Sequence, residues 1–439
     1  MSSLWSNTIT LPNFPPLKKD IVKTDVLIIG GGLAGILCAY QLERSHIPYI
    51  LVEANIICSG ITKNTTAKIT SQHGLLYQNL IHQYGIEKAQ LYLDANESAL
   101  EEYKTLCQTI PCDFEEKSSY VYSLNNKQLL EQELTSLSKL MFPAEYISSL
   151  PLPITTSGAI MFPSQAQFHP LKFLATITQS LHIYEHTKVE ELINTTAITT
   201  YGKIIAKNII VATHFPFLNK HGSYFLKMYQ HRSYVLALEN APPIPHIYVD
   251  ECEQGLSFRP YQNYLLLGGG SHRTGKKGGS YTELRNFVKT HYANAKEITH
   301  WATQDCMTLD NIPYIGHYSK HTPNLYVITG FNKWGFTSAL AGSHILCDMI
   351  LEKQNPYAEI FSPSRSILKP QLFINAIEST INLITPTKKR CPHLGCALKW
   401  NPEERTFDCP CHGSRFTEQG KLIDNPATND LTESNKSPQ

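Results

Sequence analysis

The stretch Thr24-Asp25-Val26-Leu27-Ile28-Ile29-Gly30-Gly31-Gly32-Leu33-Ala34-Gly35 decides the fold of most of this chain. A short apolar run enters a glycine-rich turn, and Ile36-Leu37-Cys38-Ala39-Tyr40-Gln41-Leu42 continues it with helical spacing. A second apolar run, Tyr49-Ile50-Leu51-Val52, ends at Glu53. Strand, glycine turn, helix, strand and acid, in that order, make a βαβ dinucleotide-binding unit. Gly30 allows the tight turn, Gly32 lets a pyrophosphate approach the helix N-terminus, and Gly35 permits close helix packing. Glu53, about twenty residues on, is placed to accept a bond from a ribose hydroxyl. The fold class is therefore α/β, with a Rossmann-like sheet. The fingerprint does not separate NAD from FAD.

Composition sets outer bounds. At 439 residues the chain holds more than one domain, and 42% hydrophobic content suffices for sizeable cores. Lys and Arg number 38 against 37 Asp and Glu, a balance that implies neither nucleic acid nor an anionic membrane. Residues 1–17 are polar and Pro-rich, so no secretory signal is expected, and no segment is apolar enough to span a membrane. The scattered cysteines Cys38, Cys58, Cys107, Cys112, Cys252, Cys306 and Cys347 read as buried or reduced thiols of a cytoplasmic protein. In the middle of the chain, apolar spacing predicts a helix over 87–106. Strand-like runs at 119–123, 232–238 and 264–267 predict a mainly antiparallel sheet.

The C-terminus carries a second constellation: Cys391-Pro-His393-Leu-Gly-Cys396, then Cys409-Pro-Cys411-His412-Gly-Ser414. Two Cys-His pairs suit a two-iron, two-sulfur centre with one iron on thiolates and the other on imidazoles. Zinc competes as a four-ligand tetrahedral site. It would leave Cys396 and Cys411 without a purpose, and zinc pairs usually have more than the single residue that separates Cys391 from His393.

This region resembles a Rieske domain. The resemblance implies that Cys391 and Cys409 bind one iron, that His393 and His412 bind the other, and that Cys396 and Cys411 form a disulfide clasp. The Cys-Pro-Cys-His-Gly-Ser form is similar to the electron-transfer branch, where Ser414 would donate a hydrogen bond to a cluster sulfur and raise its potential. Phe416 stands where respiratory Rieske proteins usually have a Tyr, which implies an intermediate potential. No mononuclear iron site is evident; His317 and His321 have no acid between them and read as surface residues. Only the basic turn Thr387-Lys388-Lys389-Arg390 and a helix-like segment precede Cys391, so the module is trimmed, and metal and disulfide must supply much of its stability.

The larger part resembles the D-amino-acid oxidase and glycine oxidase class of FAD-dependent oxidoreductases. Ser59-Gly60-Ile61-Thr62-Lys63-Asn64-Thr65-Thr66-Ala67-Lys68 occupies the place where that class threads the pyrophosphate and flavin edge, which implicates Gly60, Thr62 and Thr66. Val189 lies in a segment that lends its backbone to adenine. Ile209-Ile210-Val211-Ala212-Thr213 looks like the second nucleotide-side strand, with His214 in place of the common glycine. The turn Gly330-Phe331-Asn332-Lys333-Trp334-Gly335-Phe336-Thr337 would close over the flavin ring, its helix N-terminus facing the electron-rich end.

The implied organisation is a segment 1–24 and a flavoprotein unit 25–360. Within that unit, FAD-binding parts fall at about 25–80, 150–215 and 300–355, and an α+β substrate domain at about 86–148 and 216–300. A linker 361–387 follows, with a short amphipathic helix at 371–384, then a small all-β Rieske module 388–431 and a tail 432–439. The class usually oxidises C–N bonds and holds a substrate carboxylate with an Arg. Arg232, Arg259 and Arg273 are candidates, each with an interdomain or surface salt bridge as the alternative. His73 stands near the flavin-contacting segment as either an active-site or a structural histidine, and Trp334 either shapes the pocket or packs its turn. The expected function is oxidation of an amine or amino acid, with electrons leaving singly through the cluster to an acceptor such as a ferredoxin-like protein or a quinone. The alternative is a reductase module that exchanges electrons with a protein or nicotinamide partner and has no amine substrate. In that case Lys388-Lys389-Arg390 would dock an acidic carrier, the other reading of this run being a solvated linker face.

Overall fold

The computed structural model describes residues 2–431; Met1 and the expected tail 432–439 lie outside the described residues. Ile21–Ile29 is buried over its last four residues and pairs in parallel with Tyr49–Val52 on one side and Lys203–Val211 on the other. Leu325–Thr329 adds to Lys203–Val211 in parallel, and Tyr314–His317 closes that edge antiparallel, within an eight-stranded sheet. Such continuous apolar strands are what a parallel sheet covered on both faces requires. Helices Leu33–Arg44, Ile86–Cys107 and Gly335–Ile350 pack together as one cover. The expected helix at 87–106 is thus the middle of a longer one.

The second sheet has nine strands and is antiparallel except where Ile247–Asp250 runs beside Glu115–Ser123. It contains the expected strands, extended to Glu115–Ser123, Met228–Glu239 and Tyr264–Arg273. It also takes Lys68–Ile69, Gly158–Gln167 and Lys296–Thr308. The sequence reading placed these last three segments largely with the nucleotide-binding parts, because periodicity identifies a strand without naming its neighbours. Met228–Glu239 is buried along almost its whole length. Both of its faces are therefore covered.

The C-terminal module is a four-stranded antiparallel meander of Lys399–Asn401, Thr406–Asp408, Arg415–Thr417 and Leu422–Asp424. Within the module no strand among the described residues precedes Cys391, only a bridge between Arg390 and Ala397. Its apolar core is small, made by Cys391, Cys396, Leu398, Cys409, Cys411, Phe416 and Ala427. Helix Pro370–Ile384 precedes it, opened by a proline at its first turn. Among the described residues no helix is long and apolar enough to cross a membrane.

Candidate active site and metal centre

The glycine turn is built as its residues demand. Gly30 has φ of +113°, and a Cβ there would lie 2.6 Å from the Ala212 carbonyl oxygen. A Cβ on Gly35 would lie 1.9 Å from the Gly30 carbonyl oxygen, so helix and strand touch backbone to backbone. Glu53 accepts from the Gly31 amide at 2.7 Å and the Asn55 amide at 2.9 Å. Burial raises its carboxyl, partly offset by those two amides. Thr62 accepts from the Leu33 amide at 3.0 Å, at the open N-terminus of the first helix.

These residues border a cavity of about 1010 Å³. Gly30, Gly32, Glu53, Gly60, Thr62, Thr66 and Val189 line one part of it, and His73, Trp334 and Gly335 another. Gly35, Gly330 and Thr337 stand behind the wall: Gly330 makes a left-handed turn at φ +76°, and Thr337 donates to the Thr70 carbonyl at 3.0 Å. The open glycine cradle at a helix N-terminus, continuous with a large cavity, fits a flavin dinucleotide.

His73 has both nitrogens engaged. Nδ1 meets the Tyr92 hydroxyl at 2.6 Å and Nε2 the Thr70 carbonyl at 2.8 Å, while the ring stacks on Trp334. Burial holds its pKa down to about 3, so it is a fixed neutral imidazole with no free lone pair to act as a base.

The arginine candidates do not reach the cavity wall. Along Met228–Glu239, Tyr229, Ser233, Tyr234 and Val235 line the cavity, whereas Arg232 is turned away from it toward the C-terminal module. There it forms a two-pronged ion pair with Glu404 of the C-terminal module. Arg273 donates to the Pro410 and Cys411 carbonyls, each at 3.0 Å. Both therefore join the modules, Arg232 by the interdomain salt bridge of its alternative reading and Arg273 by hydrogen bonds to carbonyls instead. Arg259 is fully buried over Trp5 and Tyr261, and its Nη2 donates to the Phe168 carbonyl at 2.8 Å.

Among the charged residues that line the cavity and to which sequence reasoning gave no role are Lys68, Asp305 and Lys333. Lys333 sits in a left-handed conformation, φ +74°, and donates to the Ser271 hydroxyl at 2.6 Å. Burial, with Arg259 and Lys333 as cationic neighbours, brings Lys68 down to about 7 against the pull of Asp305. Burial pushes the Asp305 carboxyl up and the Lys333 ammonium down. The available signal was local, since Lys68 and Lys333 both fall inside the segments that carry the flavoprotein resemblance.

The cysteine-histidine loops are backbone copies of one another. Gly395 donates to the Cys391 carbonyl and Gly413 to the Cys409 carbonyl, both at 2.9 Å. The Cys391 amide bonds the Cys396 carbonyl at 2.9 Å and the Cys409 amide the Ser414 carbonyl at 2.8 Å. Amides of His393 and Leu394, with the Ser414 hydroxyl, point at the Cys391 sulfur. Amides of Cys411 and His412 point at Cys409. The Ser414 oxygen also accepts from the Ala427 amide at 2.9 Å, which fixes the hydroxyl. A disulfide joins Cys396 and Cys411. Sulfurs of Cys396, Cys409 and Cys411 lie within 4.8 Å of one another, but the disulfide removes two of them as ligands.

The rings of His393 and His412 are 5.0 Å apart, and the Nδ1 atom of each is buried without a partner. Nε2 of His393 meets the Asn219 side-chain oxygen at 3.0 Å, and His412 is bonded to the Phe225 backbone. Burial lowers both, to about 4 and about 3, which keeps the imidazoles neutral. An orphaned nitrogen on one side and an oriented N–H on the other is the disposition of a metal-binding imidazole. Two thiols, two such imidazoles and sulfur-directed amides fit a two-iron, two-sulfur cluster.

Fold and site together define a flavoprotein joined to an iron–sulfur module. The chain belongs to the FAD dependent oxidoreductase family, which matches residues 25–349, and carries a Rieske [2Fe-2S] domain matched over 376–435. It is similar to the Rieske protein YhfW of Bacillus subtilis (strain 168), 32% identical over 490 aligned positions that cover 97% of this chain and 96% of that protein. The cytochrome b6-f complex iron-sulfur subunit 3 of Nostoc sp. (strain PCC 7120) is 36% identical over 95 residues, 20% of this chain and 53% of that one. Glycine oxidase from Geobacillus kaustophilus superposes with a TM-score of 0.66 at 18% identity, covering 78% of this chain and 99% of that one. L-proline dehydrogenase from P. horikoshii gives 0.66 at 16%, covering 80% and 98%. At those identities the two solved structures share the fold. FAD and a [2Fe-2S] cluster are the cofactors of this chain.

Proposed function

We propose that the protein is a dehydrogenase that oxidises an amine or amino acid at FAD and passes the electrons singly through the Rieske cluster to an external acceptor. FAD supplies a two-electron acceptor for a C–N bond, and the cluster a one-electron relay. The observation that carries this reading is the shared strand Met228–Glu239. Tyr229 and Ser233 border the cavity on one face, and Gln230 on the other donates to the His412 carbonyl at 2.7 Å. A direct oxidase needs no such second wall.

In this reading 25–360 is the flavoprotein unit, 361–387 the linker and 388–431 the cluster module. Cys391 and Cys409 hold one iron; His393 and His412 hold the other through Nδ1. Gly30, Gly32, Glu53, Gly60, Thr62, Thr66 and Val189 cradle the dinucleotide, Gly35 packs the helix behind them, and the turn from Gly330 to Thr337 borders the ring. Lys68 and Lys333 orient a substrate carboxylate.

Anaerobic mixing with a panel of amino acids and amines, followed by flavin absorbance and the cluster EPR signal, tests the proposal. One substrate should bleach the flavin and then reduce the cluster. Flavin bleaching with the cluster left oxidised would refute it.

Two expectations follow from the residues. Lys68 loses its proton above about pH 7, so kcat/KM for a carboxylate substrate should fall about tenfold per pH unit beyond that point. Lys68→Met should remove this limb; a limb unchanged in the variant would separate Lys68 from the substrate. Ser414→Ala removes the hydroxyl that faces the Cys391 sulfur and would bond it in the assembled cluster. That bond, strengthened in the reduced cluster by about 1–2 kcal/mol, corresponds to a potential drop of about 40–90 mV for one electron. Spectroelectrochemistry reads it directly.

A further inference from the structure

Helix Pro370–Ile384 is inside out. Its fully buried residues are Asn375 and Asn382, and its exposed ones include Phe373 at 63%, Ile374 at 50%, Ile377 at 59% and Ile384 at 74%. The polar stripe is held on the protein: Asn375 accepts from Arg273 at 2.8 Å, Glu378 pairs with Lys276 at 2.6 Å, and the Asn382 carbonyl accepts from the Ala397 amide at 2.8 Å. A helix whose polar face makes the intramolecular contacts leaves its apolar face without a partner within the described residues.

We propose that this face docks the protein on an anionic lipid surface, with the helix lying in the plane of the interface. Charge complementarity selects that occupant. The only acidic side chain of the helix, Glu378, is neutralised by Lys276. Near the helix in the chain or through its contacts, Lys277, Lys369, Lys388, Lys389 and Arg390 have no acidic partner among the described residues. Hydrogen bonds from Arg390 to the Leu383 and Gly395 carbonyls leave its charge uncompensated. Net charge near zero for the whole chain conceals this local excess. An apolar helix face with a cationic border is the pattern of a surface-bound helix.

The arrangement also deepens the proposed function and, in this respect alone, rests on it. Arg390 staples the end of the helix to the first cluster loop at Gly395, and Leu394, beside His393, is 39% exposed. The bound helix thus brings the loop that carries His393 to the lipid boundary, where an acceptor dissolved in the membrane would be met.

The test uses the full chain with both cofactors and vesicles of phosphatidylcholine with phosphatidylglycerol, or of phosphatidylcholine alone. Co-sedimentation should be strong on the mixed vesicles and weaken with salt. Ile377→Glu with Ile381→Glu changes only exposed positions. It should cut binding at least about a hundredfold, tenfold for each isoleucine removed from the hydrocarbon boundary, with flavin and cluster spectra unchanged. Lys388→Glu with Lys389→Glu should weaken binding to the mixed vesicles alone. Three outcomes overturn the proposal: no sedimentation with either vesicle, binding unaffected by the isoleucine variant, or a solution dimer that this variant splits while vesicles are ignored. The last would assign the face to a second copy. The readout needs no electron transfer, so its failure is distinct from failure of the dehydrogenase reading.

Discussion

Arg415→Met is expected to strip the C-terminal module of its cluster at temperatures where the flavoprotein unit remains folded. The Arg415 guanidinium is 4% exposed and pairs with Asp408 at 3.1 Å, Glu404 at 3.0 Å and Asp424 at 3.0 Å. Burial works against its charge, yet the three carboxylates push it above the ordinary arginine range. Removing the cation would leave those acids uncompensated in a wall that water barely reaches, at a cost of about 3–5 kcal/mol. A core as small as that of this module rarely supplies more than about that amount itself. The cluster absorbance should therefore melt at least about 12 °C lower, with flavin fluorescence melting where it did. Arg405→Met, which breaks the exposed pair with Glu418, should change stability by less than about 1 kcal/mol. Coincident melting of the Arg415 variant and the parent would sink the claim. Acid should mimic the variant. Burial raises Glu404, but Arg232 and Arg415 together hold it below the usual carboxylate range. A carboxyl depressed on folding stabilises the protein above its unfolded pKa of about 4.3. That contribution disappears as pH falls through the lower folded value.

The two cofactor sites differ in how openly the sequence announces them, for a physical reason. Gly30, Gly32, Gly35 and Glu53 act through backbone geometry over one turn of chain, and the cage residues sit in two short loops. Chemistry of that kind is local and survives in a one-dimensional pattern. The substrate end is assembled differently. Ser233, Asp305 and Lys333 come from distant segments, and which of them face inward depends on sheet register. Met228–Glu239 is covered on both sides, so it lacks the polar–apolar alternation that marks an inward face. Arg232 was legible as a functional arginine, but not as one turned toward Glu404. The linker shows the converse: 371–384 reads as amphipathic, yet nothing in the spacing tells which stripe meets the protein.

Gln230→Leu should leave substrate oxidation at the flavin intact and slow the onward reduction of the cluster at least about tenfold. Gln230 is 1% exposed and spans the joint between the modules. Its amide nitrogen donates to the His412 carbonyl at 2.7 Å and the Asn425 carbonyl at 2.9 Å, while its oxygen accepts from Gln304 at 2.7 Å. Gln304 donates in turn to the Gly413 carbonyl at 2.9 Å. Leucine fills similar space but leaves two buried carbonyls and one amide short of a partner, at about 1–3 kcal/mol each. Relaxing that strain means moving the loop that carries His412 away from the strand. Displacing it by as little as 1.4 kcal/mol of lost docking corresponds to about a tenfold change in rate. Stopped-flow traces at a flavin and a cluster wavelength separate the two steps. Ser233→Ala, three positions along the same strand but facing the cavity, provides the opposite case: it should alter the substrate-dependent step and leave transfer between the centres unchanged. If both variants slow the same step, the strand does not divide the two sites, and an electron route across it has no structural basis.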